Sequence, residues 1–484
     1  MRSLFNTFVG VLVLCCSAVH AAQSEPKPSD LAGTWLGTLE LGPIELRLGF
    51  NLTADVTGRL SGSLISIDQG GVAIPISSIE SSAGQITLTA KKIGGTFTGK
   101  VASDADSIEG TWSQGLLKTP LTLRRVDLLP TQNRPQHPKR PFPYEVQQVT
   151  FKNPAGGHTL AGTLTLPKTK GPFGAVVMVS GSGPQDRDET LLGHKPFLVL
   201  ADMLTRRGVA VLRYDDRGVG ESTGKFEQAT SQDFATDALA AVRYLAKHDK
   251  INPAKIGIGG HSEGGLIGPM VASQQPAEIA FLVLLAPPGI PGDEVIASQT
   301  AAIEQQLGVP PAAIEAMAAA RQTIFALVAS LDEAEPDKQT FEQQLTTIIA
   351  EVPDSYFVVQ PDLKAARKLT VDTMLSMVSG PWFRFFLSHD PREDLSRVEC
   401  PVLAILCEKD VQVLPSVNLA PLKAALEKSP SKDITVRELP GLNHLLQTAP
   451  TGMPAEYGQI EETIAPVALR LIGEWVQQRA GGKP

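Results

Sequence analysis

Ser262 lies in the run Gly260-His261-Ser262-Glu263-Gly264-Gly265, which contains Gly-x-Ser-x-Gly, the pattern of a nucleophile elbow. A serine hydroxyl becomes a useful nucleophile only beside a base, and the base needs a carboxylate to orient it. The chain has 8 histidines, so the search for that base is short. His20 falls in an N-terminal apolar segment, His137 in a Pro-rich stretch, His158 in a Gly-rich hairpin turn and His248 at a helix end. His261 adjoins the serine but points off the other side of the turn, which suits packing beneath it. His194 and His389 remain open. His444 is best placed, because Pro440-Gly441-Leu442-Asn443-His444 forms a loop directly after the last strand. The acid belongs between serine and histidine, on the loop after the preceding strand. Asp410 fits that position, with Glu408 as its competitor nearer the strand end.

The negative charge of a tetrahedral intermediate needs backbone N–H donors. One should come from Glu263, the residue after the serine. The other should come from the loop Ser180-Gly181-Ser182-Gly183-Pro184, where Ser182 is the first choice and Gly181 the second. A phosphate-cradle reading of this loop fails because no Gly-Lys-Ser/Thr follows it. A dinucleotide reading of Gly257-x-Gly259 fails because the third glycine of that spacing is Ser262.

These residues need a scaffold, and the hydrophobic patterning supplies one. Glu145 to Phe151 and Thr159 to Leu166 read as an antiparallel pair, and Ala175 to Val179 as a central strand buried on both faces. A helix over Pro196 to Arg207, a strand over Val209 to Tyr214 and a helix over Gln232 to Lys247 follow. Lys255 to Gly259 is the strand that feeds the serine turn, and Leu266 to Ser273 the helix that leaves it. Strands at Phe281 to Ala286, Val402 to Leu406 and Ile434 to Glu438, then a helix near Ile464 to Gln478, complete an α/β pattern with a mostly parallel sheet. Between two of those strands, Asp293 to about Asp390 is helical by pattern. Phe341, Leu345 and Ile348 recur there at helical spacing. An insertion at the sheet edge that carries the serine is positioned to act as a lid, over about residues 290–392.

The N-terminal third is different. Ile44 to Leu52 alternates apolar and polar residues with period two, with shorter echoes at Ile86 to Ala90 and Leu121 to Leu123. This predicts a small all-β barrel or sandwich over 22–128, with Gly33-Thr34-Trp35 and Gly110-Thr111-Trp112 on the first and last strands. Five prolines between Pro130 and Pro143 mark a semi-rigid linker, 129–144, read as unpacked. At the other end, a charged Met-Arg-Ser start, an apolar run to Val19 and small residues at Ala21-Ala22 read as a secretory signal over 1–21. The run is short for a spanning helix, so export without stable membrane insertion is expected. That leaves Cys400 and Cys407, which a strand would separate by roughly 23 Å, too far for a disulfide. The net charge is −8 and no Lys/Arg cluster occurs, which argues against nucleic acid as a partner.

Taken together, several runs resemble one family. They are Gly181 to Asp188, Asp215 to Ser222, the Gly260 to Gly265 turn, Pro381 to Phe386, Glu408-Lys409-Asp410 and Gly441 to His444. From residue 145 to 484 the chain resembles the α/β-hydrolase superfamily, more narrowly bacterial two-domain serine esterases of the EstD type, also described as serine-aminopeptidase-like hydrolases. The resemblance implies a carboxylesterase acting on small-molecule esters with short acyl chains, without metal or cofactor. The Asp215 to Ser222 loop is expected to tie the surrounding loops together. Trp382, Phe383 and Phe386 are expected either to line an acyl pocket or to pack the lid onto the sheet. Peptidase or aminopeptidase action on the same triad, sugar-ester deacetylation and a non-enzymatic binding role are the other readings. Exposed aromatics on the β domain would favour the sugar ester.

Overall fold

Period-two alternation gives each N-terminal strand one apolar face, and the chain buries that face by curling a single antiparallel sheet around it. The computed structural model describes residues 28–41, 44–82, 84–115, 117–329, 338–357, 362–378 and 380–481. The expected signal lies outside them. The nine strands are β1 (Gly33–Leu41), β2 (Ile44–Ala54), β3 (Leu60–Ser66), β4 (Ala73–Pro75), β5 (Ser78–Ser82), β6 (Gln85–Ala90), β7 (Gly95–Val101), β8 (Ser107–Gln114) and β9 (Leu117–Val126). Their order is β4-β3-β2-β1-β9-β8-β7-β6-β5, a half-barrel in which β4 and β5 remain the edges. The Trp35 and Trp112 strands do not close on each other as first and last. β1 pairs with β9, and Trp112 lies one strand further in, on β8. Trp35, Phe50, Phe97 and Trp112 all point into the core. The domain's large aromatics are spent on packing, so the surface signal for a sugar-binding role is missing among them.

The second sheet has eight strands: β10 (Glu145–Asn153), β11 (His158–Leu166), β12 (Phe173–Val179), β13 (Ala210–Tyr214), β14 (Ile251–His261), β15 (Leu282–Leu285), β16 (Val402–Cys407) and β17 (Ile434–Leu439). Their order is β10-β11-β13-β12-β14-β15-β16-β17, antiparallel up to β13 and parallel from there onward. Helices cover both faces, so the central strands are apolar on both sides: β12, β13, β15 and β16 are buried throughout. On those faces lie α1 (Pro196–Arg206), α2 (Ser231–Ala246), α3 (Glu263–Gln274), α10 (Pro415–Lys428) and α11 (Pro466–Ala480). Cys400 and Cys407 are both buried free thiols.

Between β15 and β16 the insertion forms α4 (Gly292–Gln306), α5 (Pro311–Ala329), α6 (Lys338–Ala350), α7 (Leu363–Val378), α8 (Pro381–Ser388) and α9 (Pro391–Leu395). It has its own apolar core, to which Met317, Ile324, Phe341, Leu345 and Phe383 contribute. By length and composition α5 alone among the described helices could cross a membrane. Its inward residues pack the lid, and its Arg321 pairs with Glu304 inside that core.

The Pro-rich linker is a packed strap, contrary to the expectation of an unpacked spacer. Arg134 donates to the carbonyls of Leu192, Gly458 and Ile460 at 3.0, 2.8 and 2.9 Å. Gln132 donates to Gly458 O, while Gln136 donates to Ile464 O and accepts from the N–H groups of Thr463 and Ile464. Composition shows that such a segment cannot form a regular element, but its polar side chains are free to satisfy the carbonyls of a neighbouring loop.

Candidate active site

The serine turn follows from glycine placement. A Cβ on Gly260 would run into the carbonyl of Gly264, and one on Gly264 into the carbonyl of Val179. Only glycine therefore lets β14 turn so sharply into α3. Ser262 takes the strain, with φ 52° and ψ −115°, a region costly for a side-chain-bearing residue and typical of functional positions. Its N–H donates to Leu285 O at 2.8 Å and its carbonyl accepts from Gly265 N at 2.8 Å, which lock the turn.

Asp410 and His444 meet at the same end of the sheet. His444 Nδ1 lies 2.8 Å from Asp410 Oδ2, and both residues are buried. The other Asp410 oxygen accepts from Gln412 N and Val413 N, each at 2.8 Å, so both carboxylate oxygens are engaged. Glu408, the competing acid, is turned elsewhere: its Oε2 accepts from Gly441 N at 2.7 Å and fixes the start of the histidine loop. The His444 ring centroid lies 4.8 Å from that of His261, the residue preceding Ser262. Of the open histidines, His194 is buried against Thr463 and Tyr457, and His389 sits beside Asp394.

The loop after β12 closes the site from the other side. A Cβ on Gly181 would come within 3.2 Å of the Ser262 Cβ, so this loop passes directly over the serine. Gly181 N is already taken, donating to Glu189 Oε1 at 2.7 Å. The N–H groups of Ser182 and Glu263 meet no protein acceptor among the described residues. Glu263 begins α3, so its N–H also carries the positive end of the helix dipole.

Behind this loop the Asp215 to Ser222 segment acts as a brace. Asp215 receives Arg187 through Nε, Nη2 and N at 3.0, 2.6 and 2.8 Å. Burial alone would raise the Asp215 carboxyl, but Arg187 outweighs it and the net direction is down. Asp216 accepts from Ser180 Oγ and Gln185 N, both at 2.9 Å, although burial pushes its carboxyl up to about 8. Arg217 reaches Asp237 at 2.7 Å, where His158 and Asn153 also converge.

Two further features were not singled out from the sequence. Glu189, at φ +52°, accepts from His261 Nδ1 at 2.9 Å, and His261 Nε2 donates to the carbonyl of His444 at 3.0 Å. Burial lowers the His261 pKa, but the Glu189 charge overrides it and the net direction is up. Glu263 also uses its side chain: Oε1 accepts from Ser231 Oγ at 2.5 Å and from Trp382 Nε1 of the lid at 2.7 Å. Burial raises this carboxyl, and the two hydrogen bonds oppose the rise only in part. Trp382 is half-buried and stacks on Phe386 with centroids 5.0 Å apart. Phe386 joins the core beneath, while Phe383 lies inside the lid's own core at 2% exposure. Among the described residues no three His, Cys, Asp or Glu side chains converge as a metal site.

A strand order of this kind, with serine after β14, acid after β16 and histidine after β17, defines the α/β-hydrolase class. Within it the chain belongs to the family described as serine aminopeptidase, S33, which matches residues 195–450. The chain is similar to Esterase EstD of Thermotoga maritima, with 28% identity over 318 residues. That match takes in 66% of this chain and 64% of the esterase's own length. Among solved structures, an esterase of Pyrococcus furiosus aligns at 15% identity and TM-score 0.40, over 70% of this chain and 94% of that one. The α/β-hydrolase GrgF of Penicillium sp. sh18 aligns at 17% identity and TM-score 0.42, over 70% and 99%.

Proposed function

We propose that the protein is a serine carboxylesterase that hydrolyses short-chain acyl esters of small molecules. The observation that carries this reading is the buried His444–Asp410 pair at 2.8 Å beside a serine in a strained turn. In this reading Ser262 Oγ attacks the ester carbonyl while His444 Nε2 takes its proton. Asp410 keeps the other ring nitrogen protonated and steadies the imidazolium that forms. The N–H groups of Ser182 and Glu263 receive the oxyanion. Collapse of the intermediate expels the alcohol, which takes the proton back from His444, and water then repeats the sequence on the acyl-enzyme.

Short p-nitrophenyl esters and a fluorophosphonate probe test the reading. Ser262→Ala should lose about 10³-fold or more in kcat and all labelling. Wild-type turnover by that variant would end the proposal.

The family description gives aminopeptidase action a specific claim. It needs a carboxylate to receive the substrate amine, and Glu263 is the acid nearest the serine in sequence. That carboxylate is already engaged by Ser231 and Trp382, which favours the ester reading. Aminoacyl amides assayed beside simple acyl esters separate the two.

A further inference from the structure

We propose that His261 and Glu189 form a buried brace that holds the main chain of His444 and of Gly181 in register with Ser262, so that base and oxyanion donors keep their spacing through turnover. The proposal rests on the triad reading above and adds two positioning residues to it.

One oxygen is the hub. Glu189 Oε1 accepts from Gly181 N at 2.7 Å and from His261 Nδ1 at 2.9 Å. Across the same ring, His261 Nε2 donates to His444 O at 3.0 Å. Three loops are thereby joined through a single imidazole: the loop after β12 that carries Ser182, the serine turn after β14, and the histidine loop after β17. None of the three is a sequence neighbour of the others. Glu189 and His444 stand 72 and 183 residues from His261.

The chemistry of the partners fixes the state of the ring. A carboxylate and a carbonyl can only accept, so both ring nitrogens donate and His261 is an imidazolium balanced by Glu189. Both side chains are buried. A buried ion pair is poor value for stability alone, since apolar residues of similar volume serve as well. Here it sits beside the nucleophile, and Glu189 holds its position only by adopting φ +52°. Backbone strain of that kind persists where the surroundings over-determine it, and it clusters at functional sites. With a phenyl or aliphatic ring at position 261 the space would be filled, but no hydrogen bond would hold the His444 carbonyl.

The test compares His261→Gln and Glu189→Gln with wild type and with Ser262→Ala on a short p-nitrophenyl ester. Misplacement by about 1 Å costs up to about 10²-fold in rate. Both brace variants should therefore lose about 10- to 100-fold in kcat with KM held within about threefold. Fluorophosphonate labelling of Ser262 should slow by the same factor, with circular dichroism unchanged. Folded His261→Gln with kcat within about twofold of wild type overturns the brace. If His261→Gln does not fold, Glu189→Gln decides, because its amide keeps an acceptor for Gly181 N and lacks only the charge. In ¹⁵N-histidine spectra at neutral pH, wild-type His261 should show two ring N–H groups and Glu189→Gln only one. A single ring N–H in wild type also overturns the proposal. The two readings fail separately: activity surviving Ser262→Ala removes the triad, whereas its loss alongside an unaffected His261→Gln removes only the brace.

Discussion

At the scale of single residues, Ser262 has two buried acids close to it that are handled in opposite ways. Glu189 faces the His261 ring, an imidazolium in the brace proposed above, whereas Glu263 faces only neutral donors, the Ser231 hydroxyl and the Trp382 indole. Its folded pKa is raised, so the folded state holds the Glu263 proton more tightly than the unfolded chain, whose Glu groups titrate near about 4.3. A raised acid costs stability as pH climbs through the unfolded value, and the cost is complete above the folded value. Glu263→Gln keeps both accepted hydrogen bonds and has no charge to bury. Its Tm advantage over wild type should widen between about pH 4 and neutrality, as read by thermal melts across that range. A difference that stays flat would mean the group ionises freely. The meeting of Asp410 and His444 at the sheet edge that carries Ser262 was legible because order along the chain and position after strands encode it. Glu189 was not, because its role depends on a contact with His261 across 72 residues and on a left-handed backbone that no pattern announces.

Among the elements, the strand and helix order of residues 145–484 was readable almost throughout, since buried parallel strands and amphipathic helices leave strong periodic signals. What periodicity does not encode is how the lid meets the sheet. Part of that docking is made by α8, whose Trp382 reaches Glu263 while Phe386 enters the core below. Trp382→Phe keeps an aromatic ring in place but removes the indole N–H. The loss should cost about 1–2 kcal/mol of stability in urea unfolding. Under the proposed function it should also raise KM for esters more than it lowers kcat, because the helix beside Ser262 is loosened while Ser262, Asp410 and His444 are untouched. Unchanged stability together with unchanged KM would show that α8 does not anchor the lid.

For the molecule as a whole, the β half-barrel was visible as a fold type, but its strand pairing and its attachment were not. Strand pairing between β1 and β9 is a non-local choice, and the strap is legible only as a Pro-rich interval. Arg134 alone serves Leu192, Gly458 and Ile460, and it therefore ties the interval to both the 192 loop and the 454–464 segment. Arg134→Ala should destabilise the protein by about 2–3 kcal/mol, measured by denaturant midpoint. An unshifted midpoint would mean that water replaces those bonds at no cost.

The same segment touches the histidine loop, since Gln447 donates to Glu462 O and accepts from Asn443, the neighbour of His444. Strap and partner stand 326 and 328 residues apart along the chain. At about 5–20 residues per second, the ribosome delivers one roughly 15–65 s after the other. During that interval the half-barrel has everything it needs to form, while the strap's side chains wait without acceptors. Order of synthesis thus becomes order of assembly: a nascent chain can carry a finished sheet long before it can carry an organised His444, and under the proposed function hydrolytic competence would be the last property it acquires.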